Sequence, residues 1–224
     1  MCVLFKYTTT FPDEKQYKNP PENHLQKGRF MGILSADRGR CFSSSCIYGI
    51  MWEKGDENME RLNQEFFRRP CVEVARDLVG KVLVHRGQRL RITETEAYCG
   101  EEDTACHASR GRTKRTEVMY LEAGTVYVYL CYGMHWMLNL VTGEVDHPEA
   151  VLIRACREAP GPGKLTKKLG ITGEQNRSSV VTSQDLWVED DGCRCGVATD
   201  RRVGIGYAAP EDQERLWRFV MINE

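Results

Sequence analysis

The chain has 224 residues and a mass of 25.6 kDa, enough for one domain with a sizeable core, with or without an appendage. Hydrophobic residues at 41% and charged residues at 28% exclude a collagen-like or wholly disordered chain, and no apolar run of about 18 residues exists to span a membrane. With Lys+Arg at 31 and Asp+Glu at 32, any nucleic-acid partner has to be engaged by a local patch, not by bulk charge.

Residues 1–58 carry Thr8-Thr9-Thr10, Asn19-Pro20-Pro21 and Ser43-Ser44-Ser45 with no sustained period, and read as a poorly ordered leader or a partner-binding tail. A domain over 59–224 follows. Asn63–Phe67 can start a short helix. Pro70 with Val72, Val74, Ala75 and Leu78 predicts another, ending at Gly80. Lys81–His85 reads as a strand with Val82 and Val84 on one face. In Arg89–Tyr98, period-2 alternation puts Leu90, Ile92, Glu94, Glu96 and Tyr98 on one face and Arg91, Thr93, Thr95 and Ala97 on the other. Gly124–Tyr132 and His135–Thr142 form the strongest hairpin signal, joined at Tyr132-Gly133-Met134. Ala150–Cys156 is a further strand, and Lys164–Leu169 a basic helix stopped by Gly170. Short strands over Asp185–Val188, Arg202–Ile205 and Leu216–Met221 complete an α+β domain: a curved, mainly antiparallel sheet, short helices and a protruding β-hairpin. Ten cysteines spread thinly along the chain, without a convincing secretory signal, point to free thiols in a reducing, cytoplasmic compartment. Cys193 and Cys195 are the only close pair. No second Cys/His pair stands at finger-like spacing, which argues against zinc.

Three features carry chemistry. Glu94 and Glu96 place carboxylates on an apolar face, which marks a solvated strand end, a structural ion pair or a functional site. The acidic loop Glu101-Glu102-Asp103 before His107 is most simply a solvated turn, and a lone histidine is more often structural than catalytic. Tyr127 and Tyr129 share a strand face, as core tyrosines do and as a base-stacking floor requires. Tyr132 at a hairpin tip either folds down onto the domain or serves as a wedge between bases. Arg110, Arg112, Lys114 and Arg115, and then Arg154, Arg157, Lys164, Lys167 and Lys168, are solvated faces or a track for a phosphate backbone.

Glu94-Thr95-Glu96-Ala97-Tyr98, the step from Asp103 to His107, Arg115–Tyr120 and Gly124–Met134 occur in order with Asn139, Val151–Ala155 and Arg202–Gly206. Together they closely resemble the alkyladenine (methylpurine, 3-methyladenine) DNA glycosylases over about residues 61–221. His135-Trp136 and Arg112–Met119 resemble the bacterial-type branch. The resemblance implies a monofunctional N-glycosyl hydrolase of base excision repair. Such an enzyme flips alkylated or deaminated purines (3-methyladenine, 7-methylguanine, hypoxanthine, ethenoadenine) out of double-stranded DNA. It implies no cofactor, no metal, no membrane, a monomer, and a DNA-associated location that is nuclear in a eukaryotic host. It implies Glu96 as general base, with Arg154 and the Val203 carbonyl holding the water. Tyr98, His107 and Tyr129 would stack around the flipped base. Asn139 would crowd the guanine 2-amino group. Tyr132 would fill the vacated stack, with Met134 beside it in the minor groove. The rival readings are a non-catalytic nucleic-acid-binding module and a metal-linked domain built on Cys193 and Cys195.

Overall fold

Local signals set the first elements of the computed structural model, which describes residues 59–223; the expected leader 1–58 lies outside the described residues. After β1 (Glu60–Arg61), the Asn63 side chain accepts from the Phe66 amide and caps α1 (Gln64–Phe67). Pro70 caps α2 (Cys71–Leu78), whose Val74, Ala75 and Leu78 face the core. In β2 (Val82–His85) all four residues are buried, so the strand is covered on both sides and not on the one face its valines suggest.

Strand β3 (Gln88–Cys99) is the hub. It pairs with β2 through its first residues, then with β6 (Glu149–Cys156) on one side and β9 (Arg218–Asn223) on the other. The sheet continues through β5 (His135–Thr142) to β4 (Val126–Cys131), and beyond β2 to β7 (Leu186–Asp190) and β1. β8 (Gly196–Asp200) pairs with β9, and every pairing is antiparallel. The α+β class expected from the pattern is the one observed: a curled antiparallel sheet with few short helices.

Of three buried apolar clusters among the described residues, the two larger lie on the two sides of this sheet. One side carries Val126, Val128, Leu138, Leu140, Val151 and Ile153 against α2 and α3 (Pro162–Leu169), which Gly170 ends in the left-handed conformation at φ 69°. The alternate residues Tyr127, Val141 and Ala150 meet the 3₁₀ turns His107–Arg110 and Glu117–Tyr120 on the other side.

Strict alternation along β3 fails at one place. Leu90, Ile92 and Ala97 all enter the first core, and the Thr95 hydroxyl donates to the Ala75 carbonyl of α2 at 2.6 Å. The parity therefore switches between Ile92 and Thr95, where the register against β6 slips at Ile92/Glu94 and again at Glu94/Thr95. β6 switches with it, since Val151, Ile153 and then Cys156 face the same core. Each strand contributes one extra residue to the irregularity. As a result Glu94, Glu96 and Tyr98 leave the face of Leu90 and Ile92 and turn to the opposite side of the sheet.

Other expectations are corrected. Arg202–Ile205 is a turn and not a strand, with Gly204 at φ 80°. β8 and α4 (Pro210–Glu214) were not signalled: β8 is an exposed edge without alternation, and α4 is a single turn begun by Pro210. Asp103 is buried, not solvated. The free-thiol reading fails for one pair, because Cys71 at the start of α2 and Cys99 at the end of β3 form a disulfide. Folding brings together two cysteines 28 residues apart, and closing that loop is worth about 3–4 kcal/mol in the chain-entropy account.

Candidate active site

The side of the sheet opposite α2 and α3 opens into a cleft of about 760 Å³. Glu96, Tyr98, His107, Tyr129, Tyr132, Arg154 and Val203 all line it, although they come from β3, β4, β6, a 3₁₀ turn, the hairpin tip and the 201–206 turn. Behind it a narrow recess is walled by Tyr98, Cys106, His107, Tyr127, Tyr129, Asn139 and Tyr207. Of the residues to which the family resemblance gives a role, only Met134 lies outside both linings; Glu94, the other carboxylate on that strand, also lies outside them.

Glu96 is 0% exposed, and each carboxylate oxygen has a donor. The Val203 amide donates to Oε1 at 2.7 Å and the Tyr98 hydroxyl to Oε2 at 2.9 Å. Arg154 stands 3.5 Å from Oε1 and donates its Nε to Glu94 at 2.9 Å. Glu94 also accepts from Arg218 at 2.9 Å. The two neighbouring carboxylates therefore differ in kind. Glu94 is bridged by two guanidinium groups. Glu96 is desolvated, and burial raises its pKa above the usual carboxylate value against the opposing pull of Arg154, the Val203 amide and Tyr98. At Val203 the amide is the group that engages Glu96; the sequence pointed only to the carbonyl.

The aromatic wall is a linked set. Tyr129 lies 4.6 Å from His107 and 5.4 Å from Tyr127 between ring centroids, and Arg115 stacks over Tyr129 at 4.9 Å. His107 Nδ1 is hydrogen-bonded to the Tyr127 hydroxyl at 2.9 Å. Burial, helped by the nearby Arg115 charge, lowers the His107 pKa to about 4. Burial raises the Tyr98, Tyr127 and Tyr129 phenols, so the wall is neutral at pH 7. Asn139 is buried and donates to the carbonyls of Tyr127 and Met137, which fixes its amide in the recess.

The β4–β5 hairpin carries the tip. Cys131 pairs with His135, and Tyr132 and Gly133 both take positive φ, 50° and 69°. Tyr132 is 90% exposed and Met134 70%, so the tip does not fold back onto the domain. Of the basic stretches, Arg112 pairs with Asp146 and stacks on Tyr120, while Arg110, Lys114, Lys164, Lys167 and Lys168 are exposed. Among the described residues, no group of three or more His, Cys, Asp or Glu side chains is placed to hold a metal.

Three contributors were not found from the sequence as site residues. Arg202 and Asp103 form a buried bidentate ion pair beneath Tyr98, and Tyr207 stands at the mouth of the recess with its hydroxyl donating to the Ala105 carbonyl at 2.7 Å. Arg202 and Asp103 both fell within quoted motifs but carried no role. Nothing local separates Asp103 from its solvated neighbours Glu101 and Glu102.

The chain that folds into this site is similar to known proteins. The methylpurine-DNA glycosylase family model matches residues 65–160 and 157–224. A protein of Rickettsia felis is 42% identical over 169 residues, spanning 72% of this chain and 93% of its own. One of Psychrobacter cryohalolentis is 44% identical over 189 residues, 69% of this chain and 89% of its own. One of Methanocella arvoryzae is 44% identical over 185 residues, 72% and 92%. All three bear the name "Putative 3-methyladenine DNA glycosylase".

Proposed function

The chain belongs to the methylpurine-DNA glycosylase family, and on that premise we propose that it flips alkylated or deaminated purines out of duplex DNA and hydrolyses their N-glycosidic bonds. The observation that carries the reading is Glu96: a fully buried carboxylate held at both oxygens and opening onto an aromatic-lined cleft. A module that only binds nucleic acid has no use for a desolvated carboxylate so placed.

Glu96 takes the proton from a water molecule as that water attacks C1′. The carboxylate also stabilises the positive charge that grows on the sugar as the bond to the base breaks. A raised pKa brings a carboxylate closer to the strength a base needs near neutral pH. Arg154, with the Val203 carbonyl, holds the water. The flipped base slots between Tyr98, His107 and Tyr129, and Asn139 crowds the 2-amino group of guanine, a penalty that a charged leaving group such as 7-methylguanine outweighs.

Leaving-group chemistry sorts the substrates. 3-Methyladenine and 7-methylguanine already carry positive charge and depart readily. Hypoxanthine and ethenoadenine are neutral and gain from a hydrogen bond at the base. His107 supplies that bond as a neutral imidazole, because a ring with a pKa of about 4 holds no spare proton at pH 7. Tyr132 fills the gap in the duplex, with Met134 beside it in the minor groove, and stacking of about 1–3 kcal/mol per base offsets the few kcal/mol of extrusion. The chemistry asks for no cofactor, and one protein molecule meets one lesion.

Duplexes carrying each lesion, treated with the protein and then with alkali, test the reading. Alkali-labile breaks at the lesion in an otherwise intact strand are expected. Unbroken strands for every modified purine would overturn it.

A further inference from the structure

We propose that Arg202, clamped on Asp103, is a positioning residue that holds both hydrogen-bond donors on the Glu96 carboxylate; the inference rests on Glu96 being the base of the reaction proposed above. Arg202 does not donate to Glu96. Its Nη1 donates to Asp103 Oδ2 at 2.5 Å and to the Ala97 carbonyl at 2.9 Å. Its Nη2 donates to Asp103 Oδ1 at 2.8 Å and to the Asp212 carbonyl at 3.2 Å. The side chains of the pair are 0% and 1% exposed.

Two consequences converge on Glu96. Val203 is the next residue, so anchoring Arg202 anchors the amide that meets Oε1. The Arg202 guanidinium also lies 5.0 Å from the ring centres of both Tyr98 and Trp217, and Tyr98 is the phenol that meets Oε2. Asp103 fixes the other end, accepting from the Cys99 amide beside Tyr98 and from the Ala105 amide, each at 3.1 Å. One buried ion pair thus ties β3, the 99–105 loop and the 201–206 turn into a frame around the carboxylate. A buried pair is weak evidence for stability and better evidence for a fixed arrangement.

The charged and titratable groups facing Glu96 are Glu94 and Tyr98 from its own strand, Arg154 from β6, and Arg202 and Tyr207 from the segment after β8; Arg218 of β9 stands behind Glu94. The Val203 amide and the Tyr98 hydroxyl both favour the ionised form of Glu96. Loosening the frame removes both at once and makes the carboxylate harder to ionise.

Arg202→Lys keeps the charge opposite Asp103 but loses the planar fork that bridges two oxygens and stacks between two rings. Asp103→Asn keeps the size and loses the charge. Tyr98→Phe leaves the pair whole and removes one donor. The readouts are the ¹³Cδ titration of Glu96, assigned by its loss in Glu96→Gln, and single-turnover excision of hypoxanthine and 7-methylguanine against pH. In Arg202→Lys and Asp103→Asn the Glu96 midpoint should rise by about one unit, and excision at a pH below the wild-type midpoint should fall about tenfold, with lesion affinity nearly unchanged. At a pH above both midpoints the deficit should disappear. Tyr98→Phe should give part of the same shift. An unmoved midpoint in a folded Arg202→Lys or Asp103→Asn protein, or in Tyr98→Phe if neither of those folds, would overturn the inference. Should wild type excise no modified purine, the reading of function falls while the titration still decides whether the frame governs Glu96.

Discussion

Two glutamates two residues apart share a strand face, and their environments separate them. Glu94 sits between Arg154 and Arg218, whereas burial raises the pKa of Glu96. Glu96→Gln should therefore abolish excision and preserve lesion binding, because the isostere keeps the shape and loses the base; single-turnover kinetics beside a binding titration would show it. The same substitution bears on stability. A carboxyl whose pKa is higher folded than unfolded holds its proton more tightly when folded, so wild-type stability falls as pH rises from the unfolded value through the folded one. Glu96→Gln removes that loss, and its melting temperature at pH 8 should exceed that of wild type. His107 runs the other way. Its pKa is lowered to about 4 from 6.5, so the folded state gains stability as pH rises through that window and loses it as pH falls back toward 4. NMR of its ring protons should find a midpoint near 4; a midpoint near 6.5 would make His107 an available acid and change its role toward neutral bases.

At the scale of elements, the irregularity between β3 and β6 decides where the chemistry lies. Had β3 kept strict alternation from Leu90, Glu94 and Glu96 would have pointed at α2. The switch turns them to the open side and lets Ile92 and Ala97 serve the same core. The hairpin is the second decisive element. Its turn needs two successive residues at positive φ, and Tyr132 occupies the first of them, a strained position for a bulky side chain that leaves the ring projecting outward. Tyr132→Ser should lower the flipping equilibrium by roughly tenfold, since it removes about 1–3 kcal/mol of stacking while Glu96 and Arg154 stay in place. The loss should be greatest for hypoxanthine opposite thymine and least in single strands, where no partner base is displaced. Fluorescent-base extrusion and excision on the two substrates would test this; equal losses would make Tyr132 a structural residue instead.

At the scale of the molecule, a net charge of -1 does not prevent DNA binding, because the cations cluster. Arg110, Arg115 and Arg154 line the cleft, and Lys164, Lys167 and Lys168 are exposed on α3. Each phosphate contacted on B-DNA adds about 0.9 to the negative slope of log affinity against log salt, so a handful of contacts should give a slope of several units by fluorescence anisotropy. A flat dependence would argue against a footprint on the duplex. Removing residues 1–58 should leave excision intact, because every residue of the proposed chemistry lies beyond them; a truncated protein that folds by circular dichroism yet no longer excises would give that segment a function.

Elements with strong local signals were legible in the chain: the short helix beginning at Asn63–Phe67, the run from Pro70 to Leu78, the tyrosine hairpin, and α3 closed by Gly170. Neighbouring residues fix such signals through backbone geometry and side-chain period. The motifs that carry the family resemblance also placed Glu96, Tyr98, His107, Tyr129, Asn139, Tyr132, Arg154 and Val203, and folding gathers these around one cleft and its recess. Tertiary structure alone decided the remainder. The face reversal in β3 depends on register against β6, the Cys71–Cys99 bond on α2 meeting the end of β3, and the burial of Asp103 on Arg202 arriving from 99 residues away. Whether a carboxylate is solvated or desolvated depends on which side chains surround it, and for Glu96 those come from a strand, a neighbouring strand and a distant turn that meet only in the folded protein.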